Sequence, residues 1–109
     1  MKEGALNMNF GTKLIHASGD IDPTTGSVST PIYQTSTFHQ FDIENFGKYD
    51  YARSGNPTRD VVEKLIAELE GGECGFAFAS GMAAICSVLS IFSAGDHIII
   101  CGDVYGGTY

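Results

Sequence analysis

The sequence predicts an α/β fold. Three observations carry that prediction. An amphipathic helical stripe runs from Pro57 to Glu70, with Val61, Val62, Leu65, Ile66 and Leu69 at helical spacing. Two short apolar runs of strand length follow it, Cys74–Ala79 and His97–Cys101. Between them lies a stretch from Met82 to about Phe92 that is apolar nearly all round, as in a helix covered on several sides. Helix, strand, helix, strand in this order reads as a layered α/β arrangement, with residues 74–101 one βαβ crossover. Two strands are few for a parallel sheet covered on both faces, so the sheet is expected to be incomplete.

Each element has a local cause. Asn56 suits the cap of the first long helix, Pro57 suits its first position, and Gly71-Gly72 supplies the stop. Asp60 and Lys64 stand four apart on the polar side, as an expected ion pair. Ser80-Gly81 opens the second helix, and Ser93-Ala94-Gly95-Asp96 ends it. Residues 1–49 are different. Thr12 is expected to cap a short turn through Lys13–His16. Gly19, Asp20, Asp22, Pro23 and Gly26 mark turns, and residues 27–41 mix Ser and Thr with Pro31, Ile32, Tyr33, Phe38 and Phe41. This part reads as an extended arm that needs a surface to pack on, and a neighbouring subunit would provide one. The expected organisation is an arm over 1–49 and the start of an α/β domain over 50–109.

Composition narrows the function. The 109 residues are 43% hydrophobic and 17% charged, with a net charge of −7. Such a balance argues against a general nucleic-acid or anionic-membrane binder. No apolar run reaches the roughly 18 residues of a membrane span, and no apolar leader opens the chain. A cytoplasmic protein is expected. Cys74, Cys86 and Cys101 lie in apolar stretches without metal-ligand spacing, and are expected to be inert buried thiols. No metal site is expected. His16, His39 and His97 have no constellation around them and read as structural. The final Asp103–Tyr109 reads as a loop leaving a strand, so a longer parent chain is expected.

Three segments could carry chemistry. At Ser80-Gly81-Met82 a strand turns into a helix, where free N–H groups and the positive end of the helix dipole favour a phosphate. An ordinary serine cap fits the same residues. It is neither a Walker A loop nor a dinucleotide fingerprint. Tyr51 and Arg53 stand two apart in an expected extended segment, so both side chains could reach one anion; a surface pair of Arg53 with Asp50 is the alternative. Tyr105-Gly106-Gly107-Thr108 follows a strand end, where α/β sheets gather their ligands, and Tyr105 could stack on a flat ring or simply form a turn.

Taken together, Tyr51-Ala-Arg-Ser-Gly-Asn-Pro-Thr58, Ser80-Gly-Met-Ala-Ala84 and Asp103-Val-Tyr-Gly-Gly-Thr-Tyr109 resemble the pyridoxal-phosphate enzymes of the transsulfuration family of Cys/Met metabolism. Thr12-Lys-Leu-Ile-His-Ala17 and Ser29–Phe38 are similar to that family's N-terminal arm. The resemblance covers nearly the whole chain from about Thr12. It implies a fold type I, aminotransferase-like large domain with pyridoxal 5'-phosphate as cofactor. It implies that Ser80, Gly81 and Met82 form the cofactor-phosphate turn and that Tyr105 stacks on the pyridine ring and assists proton transfer. It implies that Tyr51 and Arg53 reach the phosphate held by a neighbouring subunit, within a homo-oligomer, a tetramer in many members. The substrate would be a small sulfur amino acid. Gly107 stands where methionine γ-lyases typically carry cysteine, which favours a cystathionine enzyme. The expected type is cystathionine γ-synthase or γ-lyase, with methionine γ-lyase, cystathionine β-lyase and O-acetylhomoserine sulfhydrylase of the same family as alternatives. The family also needs a cofactor-binding lysine, an aspartate on the pyridine nitrogen and an arginine for the substrate carboxylate. Lys2, Lys13, Lys48 and Lys64 do not match that lysine, so the chain alone is expected to be inactive and aggregation-prone. A non-catalytic binding or assembly module is the reading from another class.

Overall fold

The computed structural model describes residues 9–16 and 21–109. The chain falls into two compact units, Met1–Phe76 and Ala77–Tyr109.

The first unit is built on two helices, α1 (Phe10–His16) and α2 (Pro57–Glu70), which pack on each other. α1 starts earlier than the sequence predicts. Its cap is Asn9 rather than Thr12, because the Asn9 Oδ1 accepts from both the N–H and the hydroxyl of Thr12, at 2.9 and 3.0 Å. Lys13 on α1 pairs with Glu68 on α2 at 3.5 Å. α2 has the predicted bounds. The Asn56 side chain accepts from the Thr58 N–H at 2.8 Å, and Pro57 occupies the first turn. Gly71 ends the helix at φ 68°, a left-handed conformation that glycine adopts without a Cβ penalty. The Gly72 N–H then bonds to the Ala67 carbonyl at 2.8 Å, and the Gly71 N–H to that of Glu68 at 3.4 Å, the paired bonds of a Schellman stop.

The segment before α2 is held by hydrogen bonds rather than by apolar burial. Asp22 forms the predicted turn, its carboxylate accepting from the N–H groups of Thr24 and Thr25, and Gly26 closes it at φ 71°. Gly19 and Asp20 of that prediction, residues 1–8 of the arm and Ala17 of the arm motif lie outside the described residues. Further on, an isolated antiparallel bridge joins Thr37 to Tyr51, with Phe38 N–H to Asp50 carbonyl and Ala52 N–H to Ser36 carbonyl, both 2.8 Å. The Gln40 side chain closes the loop between, donating to the Tyr49 carbonyl and accepting from the Gly47 N–H, each at 2.7 Å. Ala67 is the one buried apolar side chain among the described residues, 8% exposed.

The second unit contains α3 (Gly81–Leu89). Ser80 caps it, its Oγ accepting from the Ala83 N–H at 3.1 Å. The helix stops three residues short of the predicted Phe92, because its last turn tightens: Ile91 and Phe92 bond to the carbonyls of Val88 and Leu89, three residues back. Ser93–Asp96 then forms the predicted turn, with Gly95 at φ 103°.

Three expectations fail here for one reason. The runs 74–79 and 97–101 form no strand, and the βαβ crossover is not made. A strand is a partnership, and among the described residues the bridge that forms joins Thr37 to Tyr51, outside both runs. Consequently α3 is not covered on several sides: none of its residues is buried. Cys74, Cys86 and Cys101 are likewise exposed rather than buried, and all three are free.

The ion pair expected between Asp60 and Lys64 is also replaced. Asp60 accepts from the Lys48 ammonium and the Tyr49 hydroxyl, reaching back to the segment before the helix. Partial burial pushes Asp60 upward, but the hydrogen bonds from Lys48 and Tyr49 outweigh it and hold the carboxyl below its ordinary value. The same contact raises Lys48. The i,i+4 pair actually formed on α2 is Arg59 with Glu63, at 3.5 Å. Among the described residues no helix is long and apolar enough to cross a membrane.

Candidate cofactor site

The second unit gathers four of the six predicted site residues. Ser80, Gly81, Met82 and Tyr105 line one groove of about 410 Å³, with Ile85 and Thr108 completing its wall. The helix start explains its chemistry. The first backbone bond of α3 runs from the Ala84 N–H to the Ser80 carbonyl, and the Ala83 N–H is taken by the Ser80 Oγ. The N–H groups of Gly81 and Met82 have no intrahelical acceptor. They add to the positive end of the helix dipole. Ser80 spends a lone pair on the cap, which leaves its O–H proton to donate outward. A Cβ at Gly81 would meet no atom within 4 Å, so nothing obstructs an anion approaching this backbone.

Tyr105 reaches the same groove through its own turn. The Thr108 N–H bonds to the Tyr105 carbonyl at 2.7 Å, and the Thr108 hydroxyl bonds to the Met82 sulfur at 3.4 Å. Met82 therefore serves twice: its N–H belongs to the helix terminus, and its thioether anchors the Tyr105 turn. Thr108 closes the motif that the sequence singles out, but sequence reasoning gives it no role of its own. Its position three after Tyr105, where a turn closes, was the available clue. Gly107 is the space the ring occupies, since a Cβ there would lie 2.8 Å from Tyr105 Cε1. The ring itself is 77% exposed.

Tyr51 and Arg53 belong to the first unit, where the structure does bring them together. The route differs from the predicted extended segment. After the bridge at Tyr51 the chain turns, with the N–H groups of Ser54 and Gly55 both on the Tyr51 carbonyl at 2.9 and 3.0 Å. The Arg53 guanidinium then lies over the Tyr51 ring, 5.1 Å from its centroid. The alternative pairing with Asp50 is not formed: the Asp50 carboxylate accepts from the Tyr51 N–H at 2.6 Å. Among the described residues Arg53 is in no ion pair, so its charge is available to an external anion. The histidines carry no comparable arrangement; His39 packs edge-on against Phe41 at 4.8 Å. Among the described residues no cluster of His, Cys, Asp or Glu could hold a metal ion.

The donor set fits pyridoxal phosphate. Two free N–H groups, a serine hydroxyl and a helix terminus match a phosphate dianion, and an exposed aromatic face in the same groove matches a flat pyridine ring.

Comparison with known proteins points to the same cofactor. Residues 11–109 match the family model described as Cys/Met metabolism PLP-dependent enzyme. The cystathionine β-lyase of Lactococcus lactis subsp. cremoris strain MG1363 is 61% identical over 98 residues, covering 90% of this chain and 26% of the relative. The cystathionine γ-lyase of Bacillus subtilis strain 168 is 51% identical over 102 residues, covering 94% of this chain and 27% of the relative. The crystal structure of cystathionine γ-lyase from Lactobacillus plantarum complexed with L-serine superposes with a TM-score of 0.81 at 60% identity, over 93% of this chain and 26% of that one. The chain thus spans about a quarter of the length of the curated relatives it matches. With the family model matched along nearly all of its length, the chain belongs to the Cys/Met metabolism PLP-dependent enzymes.

Proposed function

We propose that these residues supply the phosphate-binding part of the active site in an enzyme that cleaves or forms cystathionine with pyridoxal phosphate. The observation that carries the reading is the single groove in which the Ser80-capped helix terminus and the Tyr105 ring meet. The names of the relatives support the substrate: β-lyase and γ-lyase for cystathionine both occur at more than half identity.

When bound, pyridoxal phosphate supplies the electron sink for bond cleavage at the substrate's α-carbon. This chain's residues do the holding and orienting. The N–H groups of Gly81 and Met82 and the Ser80 hydroxyl bind the phosphate. Tyr105 offers its ring face for stacking and its phenolic oxygen for proton transfer with the substrate. Tyr51 and Arg53 act on the phosphate in a neighbouring subunit, so that each site is shared between two copies. That role accounts for an arginine that, among the described residues, has no carboxylate partner in an acidic chain. The remainder of an aminotransferase-like large domain would pair the runs 74–79 and 97–101 into its sheet. The covalent lysine would come from the rest of the enzyme.

The test is an assay of the whole enzyme with cystathionine, reading free thiol and 2-oxo acid together. Cleavage on the β side gives homocysteine and pyruvate; cleavage on the γ side gives cysteine and 2-oxobutyrate. Borohydride reduction before mass spectrometry should fix the cofactor to the protein. No added cofactor mass, and neither cleavage nor synthesis of cystathionine, would refute the reading.

A further inference from the structure

We propose that Arg59 is the positioning residue of the Tyr51–Arg53 phosphate clamp. The inference rests on the clamp role given above and extends it to a residue that itself meets no ligand. Arg59 stands in the first turn of α2 and donates to three consecutive backbone carbonyls. Its Nη1 bonds to the Ala52 carbonyl at 3.0 Å, and its Nη2 to those of Arg53 and Ser54 at 3.3 and 3.1 Å. Its Nε faces the Glu63 carboxylate at 3.5 Å.

Three consecutive carbonyls aimed at one point are mutually repulsive. A cation among them removes that penalty, and only a guanidinium offers enough fixed donors to meet all three and a carboxylate at once. The turn that carries Arg53 is thereby fastened to a helix secured at both ends, by Asn56 and by Gly71. Sites held by regular elements are placed more accurately than sites on free loops. Glu63 has a second effect: it offsets the charge of Arg59, so Arg59 does not compete for the phosphate. Of the two arginines in the chain, one is neutralised and tied to backbone, and the other is exposed and, among the described residues, in no ion pair. Arg59 fixes where the charge of Arg53 stands.

The experiment measures pyridoxal phosphate affinity of the whole enzyme, by titrating the cofactor-free form and following cofactor absorbance. Arg53→Ala, Arg59→Ala, the double variant and Arg59→Lys are compared. Arg53→Ala should weaken binding about tenfold or more, as expected for a lost charge-assisted contact. Arg59→Ala should weaken it several-fold and by less than Arg53→Ala, because positioning can lose no more than the contact it positions. The double variant should match Arg53→Ala alone, since the two act through one contact. Arg59→Lys keeps the charge but not the fork, and should recover only part of the loss; it carries the test if Arg59→Ala does not fold. Unchanged affinity in both Arg59 variants, or a double variant that loses the product of the two single effects, overturns the proposal while leaving the clamp intact. Unchanged affinity in Arg53→Ala overturns the clamp itself.

Discussion

Ser80 caps α3 and is proposed to bind the cofactor phosphate, and three substitutions separate these two roles. Its Oγ accepts from the Ala83 N–H at 3.1 Å as the cap of α3, and its O–H would donate to the proposed phosphate. Ser80→Ala removes both functions. Loss of the cap costs about 1 kcal/mol of helix stability, and loss of a neutral hydrogen bond to the ligand costs about 0.5–1.5 kcal/mol of affinity. Ser80→Gly spares most of the cap, since glycine there costs only a few tenths of a kcal/mol, roughly, yet it removes the same hydroxyl. Ser80→Asp retains a capping oxygen in backbone that is extended at φ −153°, ψ 156°, but sets a carboxylate against a dianion. The whole enzyme is the object, read by its Tm without cofactor and by its cofactor affinity. Stability should fall in the order Asp and wild type, then Gly, then Ala. Affinity should fall about two- to tenfold in Ala and Gly alike, and furthest in Asp. An aspartate variant that binds pyridoxal phosphate as well as the wild type would refute the reasoning, because no anion could then sit at this helix terminus.

Other perturbations test the scaffold. Gly75→Ala would place a Cβ 2.5 Å from the Glu63 backbone oxygen on α2, and should lower the Tm by an overpacking cost of about 1–3 kcal/mol; an unchanged melt would show that this close approach is not made. Gly107→Ala should push the Tyr105 ring out of its present position and alter the bound cofactor's absorbance, leaving the cofactor-free Tm nearly unchanged. Asp60→Asn should destabilise the protein at neutral pH. Because the folded carboxyl titrates below its ordinary value, that contribution is present above about pH 3.9 and is lost as pH falls through the lower folded value, so mutant and wild-type stabilities should converge in acid. The 109-residue chain alone should bind a hydrophobic dye strongly, since Ile98, Ile99 and Ile100 lie exposed in a row, Ile99 by 89%; absence of dye binding would show that the run is covered.

What could be read from the residues alone divides along the range of the interactions. Both bounds of α2 follow from local chemistry, Asn56 with Pro57 at one end and Gly71 with Gly72 at the other. The start of α3 follows from Ser80 in the same way. Its end does not, because an apolar stretch continues past Leu89 and nothing in the pattern distinguishes a tight last turn from another α-helical one. The two expected strands and the expected burial of the cysteines rest on apolarity, which says that a segment seeks cover and not that the cover is present. The helical pattern matches Asp60 to Lys64, its neighbour on the helix, while its partner Lys48 comes from twelve residues earlier. Arg59 escaped notice because its acceptors are carbonyls, which every residue carries and no motif records.

The first turn of α2 holds more than a helix. Asn56 caps it through Oδ1 and at the same time donates through Nδ2 to the Tyr33 carbonyl, at 2.8 and 3.2 Å. The Thr58 hydroxyl accepts from the Tyr33 N–H at 2.9 Å and donates to the Pro31 carbonyl at 3.2 Å. Two side chains thus belong to the helix and to a segment more than twenty residues away. Fraying of that turn and release of the Pro31–Tyr33 strip are then one opening event. The Tyr33 and Thr58 amides should exchange their hydrogens at a common rate, and a single substitution at either side chain should speed both.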